Sequence, residues 1–266
     1  MIEVLLLLLG ILIGSLINGL ADDLPRRITF HFPSHCPNCD AVNPPLRRVA
    51  LIGFFTPHRR CANCSMSLSW RTLFVEIISS AMLFFLYQKF GLTLKFGLLA
   101  LLMECLLLIT VIDLEHRLIL YVTVIPSAFI ALIYGIFGAG HDLSKTLLGG
   151  AAGFGFIYSV YLFGWVFSKV MTCIRGQELD EVVFGGGDVY LSGVIGLAVG
   201  WSGIVLALFM AIMVGGASAA IYLIIAILRR RYNVFTPIPY GPFLVLGAIV
   251  LLVFSEEIRV YYRLSG

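Results

Sequence analysis

Four cysteines and two aspartates are the side chains in this sequence whose type and spacing point to chemistry. Cys36-Pro-Asn-Cys39 and Cys61-Ala-Asn-Cys64 are two C-x-x-C pairs with 21 residues between them. Each short turn lets two thiolates converge on one ion, and two such turns complete a tetrahedral set of four sulfurs. A site closed by four sulfurs leaves no coordination position for a substrate. The expected ion is therefore a structural Zn2+ held by Cys36, Cys39, Cys61 and Cys64. Pro37 and the asparagines suit tight turns whose N–H groups can point at the sulfurs. The competing reading is a pair of disulfides, which needs an oxidising compartment. Cys105 and Cys173 stand in or near apolar runs, where core packing accounts for them.

The aspartates are Asp113, in Ile109-Thr-Val-Ile-Asp113-Leu-Glu115-His116-Arg117, and Asp188, which follows Gly185-Gly186-Gly187. A charged group at an apolar run is costly and calls for a reason. If the two meet, like charges side by side cannot both ionise easily, and the pair holds one proton. One member can then act as general base on a water and the other as general acid. Gly185, Gly186 and Gly187 permit unusual φ/ψ values and close backbone approach. A helix starting there leaves N–H groups free to pair with an extended peptide strand. A blander reading stays open: Asp113 snorkels at a helix end, and Asp188 is a cap after a glycine turn. Glu115 competes for the place of the first carboxylate, and His116 reads as a solvated border residue.

The elements that must position these groups follow from composition. The chain is 60% hydrophobic and 12% charged, with a mean hydropathy of +1.00. Soluble domains carry about 25% charged residues, so the lipid bilayer is the solvent that fits. Apolar runs at 2–20, 73–92, 97–112, 119–138, 146–168, 189–200, 203–228 and 241–258 predict about eight membrane spans. The fold expected is all-α: one polytopic transmembrane helical bundle over 1–266, with a polar cysteine loop at 22–72 between the first two spans. The first run carries Glu3 instead of a basic segment and has no small-x-small pattern before Asp22, so it reads as a span rather than a cleaved leader. A net charge of +3 gives no argument for nucleic acid.

Positive charge orients the bundle. The loop 22–72 holds Arg26, Arg27, Arg47, Arg48, Arg59, Arg60 and Arg71 against three aspartates, which marks it as cytoplasmic. Counting spans then places 113–118, 169–188 and 229–240 on the same side. Those loops carry Arg117, then Lys169 and Arg175, then Arg229, Arg230 and Arg231. Both termini are expected outside, although Lys89, Lys95, Arg259 and Arg263 add fewer charges there. Asp113 and Asp188 both fall at the cytoplasmic border in this topology.

With these residues in view, the sequence resembles the type IV prepilin peptidase family of GxGD aspartyl proteases over nearly its whole length. Gly14-Ser15, Asn18 and Pro25 resemble that family's N-terminal signature, and the two C-x-x-C pairs have its spacing. Ser69-Trp70-Arg71 with Val75-Glu76, Ile112-Asp113, Gly185-Gly186-Gly187-Asp188-Val189 and Ile238-Pro239-Tyr240-Gly241-Pro242-Phe243 follow in the family's order. The resemblance implies that Asp113 and Asp188 are the catalytic pair. It also implies a bacterial inner-membrane enzyme that removes the basic leader of prepilin or pseudopilin precursors, whose next segment is a hydrophobic helix. It implies N-methylation of the new terminus from S-adenosylmethionine where that second activity is kept. Ile119-Leu120-Tyr121 depart from the family's I-P-D, Asp23 stands where an Arg is expected, and 48–54 lacks the usual proline, serine and tryptophan. The peptidase motifs are thus better kept than the loop tied to methyl transfer. An acidic segment, Glu178 to Glu181, is a candidate attractor for a basic leader, or a solvated loop. The rival readings are a small transporter, a non-catalytic zinc-anchored membrane scaffold, and a sister protease of preflagellin type.

Overall fold

In hydrocarbon every backbone N–H and C=O must find its partner within its own segment, so apolar runs of this length can only be helical. A computed structural model describes residues 1–26, 35–36, 38–175, 185–228 and 239–264. All eight predicted apolar runs lie on helices in it, give or take two residues at an end, and among the described residues six helices are long and apolar enough to cross a membrane. The only extended pairings among the described residues are the single bridges His35–Val42 and Arg60–Ser67. Arg27, Pro37, Glu178 to Glu181, Arg229 to Arg231 and Ile238 lie outside the described residues.

The chain forms two compact units, 1–112 and 113–266. The first unit holds α1 (Ile2–Asp23), the short turns α2 (Pro45–Arg48) and α3 (Ala50–Phe54), α4 (Trp70–Phe90) and most of α5 (Leu94–His116). Small residues let α1 and α4 close on each other: a Cβ on Gly10 would strike Ser80, and one on Gly14 would lie 2.6 Å from the Glu76 Cα. Hydroxyls tie the seam, Ser79 donating to the Gly10 carbonyl at 2.8 Å and Ser80 to that of Leu7 at 2.9 Å. Such small-residue contacts and interhelical hydrogen bonds replace the hydrophobic effect where the surroundings are as apolar as the side chains. At the polar end of the seam Asn18 donates to the Thr72 carbonyl at 2.9 Å, and Arg71 pairs with Asp22 at 2.7 Å. The Glu76 carboxylate, fully buried, accepts the N–H groups of Ala50 and Leu51 at 2.6 and 2.7 Å, and Ser15 donates to the Arg48 carbonyl. Ser15 and Glu76 therefore fasten the loop segment 48–51 to α1 and α4, while Gly14, Asn18 and Arg71 hold those two helices to each other.

The second unit holds the last turn of α5, α6 (Tyr121–Ile133, continuing as a wider turn to Gly138), α7 (Leu143–Arg175), α8 (Gly186–Leu228) and α9 (Gly241–Leu264). A straight helix of α8's 43 residues would reach about 65 Å, roughly twice the hydrocarbon thickness. It does not run straight. Gly200 takes φ 73° and ψ 179°, a left-handed conformation that favours glycine, and divides α8 into 186–199 and 201–228. This is the boundary expected between the sixth and seventh apolar runs. The first half of α8 packs on α7 through Gly149, Gly150 and Gly153, where a Cβ would meet Gly196, Leu197 and Ser192 in turn. The second half packs on α9, Gly247 lying against the Ala207 carbonyl.

Candidate active site and candidate metal centre

In the first unit the two cysteine turns are copies of one structure. Cys36 N–H donates to the Ala41 carbonyl and Asp40 N–H to that of Cys36, both at 2.9 Å. Cys61 with Met66 and Ser65 with Cys61 repeat those two bonds at the same length. Asp40 and Ser65, each following the second cysteine of its pair, take left-handed φ of 53° and 57°. The turns bring Cys36 Sγ to 3.6 Å from Cys64 Sγ and Cys39 Sγ to 3.7 Å from Cys61 Sγ, with all four sulfurs within 4.8 Å of one another. Four sulfurs held about 2.3 Å from one central ion stand about 3.8 Å apart, so the cluster has the dimensions of a tetrahedral thiolate site.

All four are free thiols rather than disulfides. Backbone N–H groups of Cys64 and Asn63 point at Cys61 and hold its thiol down, to about 6. The Met66 N–H lowers Cys64 in the same way. N–H groups aimed at sulfur favour the thiolate, which is the form that binds a metal. Both asparagines help, Asn63 through its backbone N–H toward Cys61 and Asn38 through its side chain toward Cys64. Cys105 is half-buried in α5 and outside any disulfide, and the side chain of Cys173 lies outside the described residues.

In the second unit the two aspartates come together. Asp113 lies in the last turn of α5 and Asp188 in the first turn of α8, 5% and 7% exposed respectively. Each lies within electrostatic range of the other, and Oδ2 of Asp113 is buried without a hydrogen-bond partner. Glu115, the competing carboxylate, is exposed and faces His116 at 3.9 Å. Asp113 is therefore the acid that the fold places beside Asp188. Asp188 also acts as a cap, its N–H donating to the Gly185 carbonyl at 3.1 Å while the Gly185 N–H faces its carboxylate. Asp188 is thus the third residue of α8, reaching back to Gly185, rather than the N-cap itself.

The glycine triplet is used for close approach, since none of the three has a positive φ. At Gly187 a Cβ would come 2.5 Å from the Ile119 Cβ, whereas Gly186 has open space around it and Gly185 meets only Asp188 Oδ2, at 3.6 Å. Three residues to which sequence reasoning gave no role complete the site. Gly241 lies so close to Asp113 that a Cβ there would strike Oδ2, and its N–H faces that carboxylate. Tyr240 is half-buried, and burial together with the Asp188 charge pushes its phenol above the ordinary value, keeping it a donor. Ile119 occupies the space that a Cβ on Gly187 would need and borders that of a Cβ on Gly241. Tyr240 and Gly241 stand in the late Pro-Tyr-Gly-Pro stretch, which was the available signal for them.

Two family models match the chain. Residues 8–90 match the Bacterial Peptidase A24 N-terminal domain, and residues 100–220 match the Type IV leader peptidase family. The chain belongs to the type IV leader peptidase family. Its relatives include the prepilin leader peptidase/N-methyltransferase of Pseudomonas aeruginosa, 27% identical over 98% of this chain and 93% of the relative. Those of Aeromonas salmonicida and Bacillus subtilis, proteins of the same name, are 29% and 23% identical, covering 86% and 97% of this chain and 74% and 96% of the relative. No solved structure matches the chain. As a peptidase family member of this length the chain is an enzyme, and the transporter and scaffold readings lapse. The gap between the two matches, between residues 90 and 100, covers the turn between α4 and α5 and the first residues of α5.

Proposed function

We propose that this chain is an intramembrane aspartic endopeptidase that removes the leader of prepilin-like precursors, with Asp113 and Asp188 as its catalytic pair. The observation that carries the proposal is the meeting of two buried carboxyl groups from α5 and α8, flanked by glycine backbone and a half-buried tyrosine. One carboxylate takes a proton from a water as the water oxygen adds to the scissile carbonyl carbon. The other, carrying the shared proton, donates to the carbonyl oxygen, and collapse of the tetrahedral intermediate sends a proton to the departing amine. Gly185 and Gly186, exposed and without side chains, leave the backbone before Asp188 accessible to an extended peptide.

The arginine distribution supports a cytoplasmic cysteine loop in a bacterial inner membrane, with both termini outside and the pair at the cytoplasmic border. A basic leader and a hydrophobic helix are the substrate features that suit that border. Zn2+ suits the four sulfurs in number, spacing and charge, and would act structurally, joining two turns in a loop too polar to build a core of its own. Relatives of this chain carry an N-methyltransferase in their names. Nothing among the described residues marks where S-adenosylmethionine would bind, so methylation enters as an outcome of the test.

The test is the intact mass of a prepilin incubated with membranes containing this protein or its Asp188→Asn variant. Loss of the leader mass with the wild type alone is the expected result. A further gain of one methyl group when S-adenosylmethionine is added would establish the second activity. Equal cleavage by the variant would overturn the assignment of the pair.

A further inference from the structure

The connection between α5 and α6 is four residues long, Arg117 to Leu120, and Arg117 turns it back with a left-handed φ of 54°. That reversal brings Ile119 under both arms of the aspartate site. Its Cβ, Cγ1 and Cγ2 lie 2.5, 3.2 and 3.3 Å from where a Cβ on Gly187 would be, one residue before Asp188. Its Cδ1 lies 3.4 Å from where a Cβ on Gly241 would be, and that same position strikes Asp113 Oδ2. One branched side chain thus fills the Cβ position at Gly187, beside Asp188, and reaches the one at Gly241, beside Asp113. An isoleucine is stiff at χ1, so it sets a fixed spacing where a longer unbranched side chain would give way. Among the described residues no hydrogen bond joins the two carboxyl groups, although each is in the other's electrostatic range.

We propose that Ile119 is a positioning residue: a wedge that holds the Gly187–Asp188 and Gly241 segments apart and so fixes the separation of the two carboxyl groups. The proposal rests on the reading of Asp113 and Asp188 as the catalytic pair. It makes no contact with substrate necessary at Ile119, and it assigns the residue to the rate of chemistry rather than to binding. By the same geometry a side chain at 187 would strike the wedge, whereas one at 186 would enter open space. Only the former faces it.

The experiment measures kcat and KM separately for prepilin cleavage by the full-length protein in proteoliposomes, with Ile119→Val, Ile119→Ala, Gly187→Ala, Gly187→Ala with Ile119→Gly, and Asp188→Asn. A misplacement of about 1 Å at reacting groups costs on the order of 100-fold in rate. Ile119→Ala is therefore expected to lose roughly 10- to 100-fold in kcat with KM within about two-fold, and Ile119→Val to recover most of that loss. Gly187→Ala is expected to be inactive alone and partly restored by Ile119→Gly, which removes the Cβ it strikes. A wild-type kcat for Ile119→Ala, or a fall in kcat matched by an equal fall in thermal stability that Val does not rescue, overturns the wedge. If Asp188→Asn is inactive while Ile119→Ala is normal, the wedge alone fails. If Asp188→Asn cleaves like wild type, the pair fails and the wedge with it.

Discussion

The cysteine loop and the aspartate site solve the same problem, bringing distant side chains together, by opposite means. In the loop, local backbone does the work. Two turns with the same hydrogen bonds and the same left-handed residue at the same place converge four sulfurs, and each turn spans only six residues. At the aspartate site no local structure joins the parts. Asp113, Ile119, Gly187, Asp188, Tyr240 and Gly241 come from three separate stretches, and packing between helices places them. A site built from turns tolerates much change in the helices around it. One built from helix packing is exposed to any change in the glycines that set how closely those helices approach.

The largest effect expected from this contrast separates chemistry from architecture. Asp113→Asn and Asp188→Asn should each lower prepilin cleavage by about 1,000-fold or more, with thermal stability within a few degrees of wild type. Removing both knuckles, by Cys36→Ser with Cys61→Ser, should take bound zinc from one per chain to none by elemental analysis. It should also expose the loop to proteolysis, while purified protein that stays folded keeps measurable cleavage. If the cysteine variant loses as much kcat as the aspartate variants while folded, the division between a catalytic and a structural region is wrong.

The next effect concerns the glycine seams. A methyl group forced into a packed seam costs about 1–3 kcal/mol. Gly153→Ala meets the Ser192 carbonyl, and Gly14→Ala meets the Glu76 backbone. Each should lower stability by that amount. Gly155→Ala, two residues along the same α7, meets nothing within 4 Å and should be neutral or stabilising by up to about 1 kcal/mol. Gly153→Ala should reduce cleavage as well, because the seam it opens holds the start of α8 that carries Asp188. Gly14→Ala should act on the anchoring of the loop segment 48–51. Thermal melts in detergent read the stabilities, and equal behaviour of Gly153→Ala and Gly155→Ala would sink the packing argument.

How much of each region could be read from the sequence follows from the same contrast. The four cysteines were legible because C-x-x-C is a local code: spacing alone fixes what one turn can do. The eight helical runs were legible because hydropathy is summed over many residues, and even the break at Gly200 showed as a gap between two apolar runs. Asp113 and Asp188 were legible as costly charges, with Glu115 a competing candidate on the residues alone that the resemblance passed over and its exposure now sets apart. Ile119 could not be found from sequence, since an isoleucine after a span carries no chemical signal. Its role exists only in the space it fills beside Gly187 and borders at Gly241. The triplet likewise misled in one respect: it suggested unusual backbone angles, whereas the need is for an absent side chain at one position.

The smallest effect is a titration, and it tests whether the loop's backbone prepares its sulfurs before a metal arrives. The N–H groups of Cys64 and Asn63 hold the Cys61 thiol down to about 6 from an ordinary 9.0. A lowered value means that the fold favours the thiolate. That contribution is present above the ordinary thiol range, persists as the pH falls, and is lost as the pH drops through about 6. Metal-stripped protein treated briefly with iodoacetamide and analysed by peptide mass should therefore show Cys61 modified with a midpoint near 6. Denatured protein should show the same peptide react with a midpoint in the ordinary thiol range. Zinc should protect Cys61 at every pH where it stays bound. A midpoint near the ordinary value in the folded, metal-free loop would mean that the turns take their shape from the metal. The loop would then resemble the aspartate site after all, its geometry imposed from outside the local backbone.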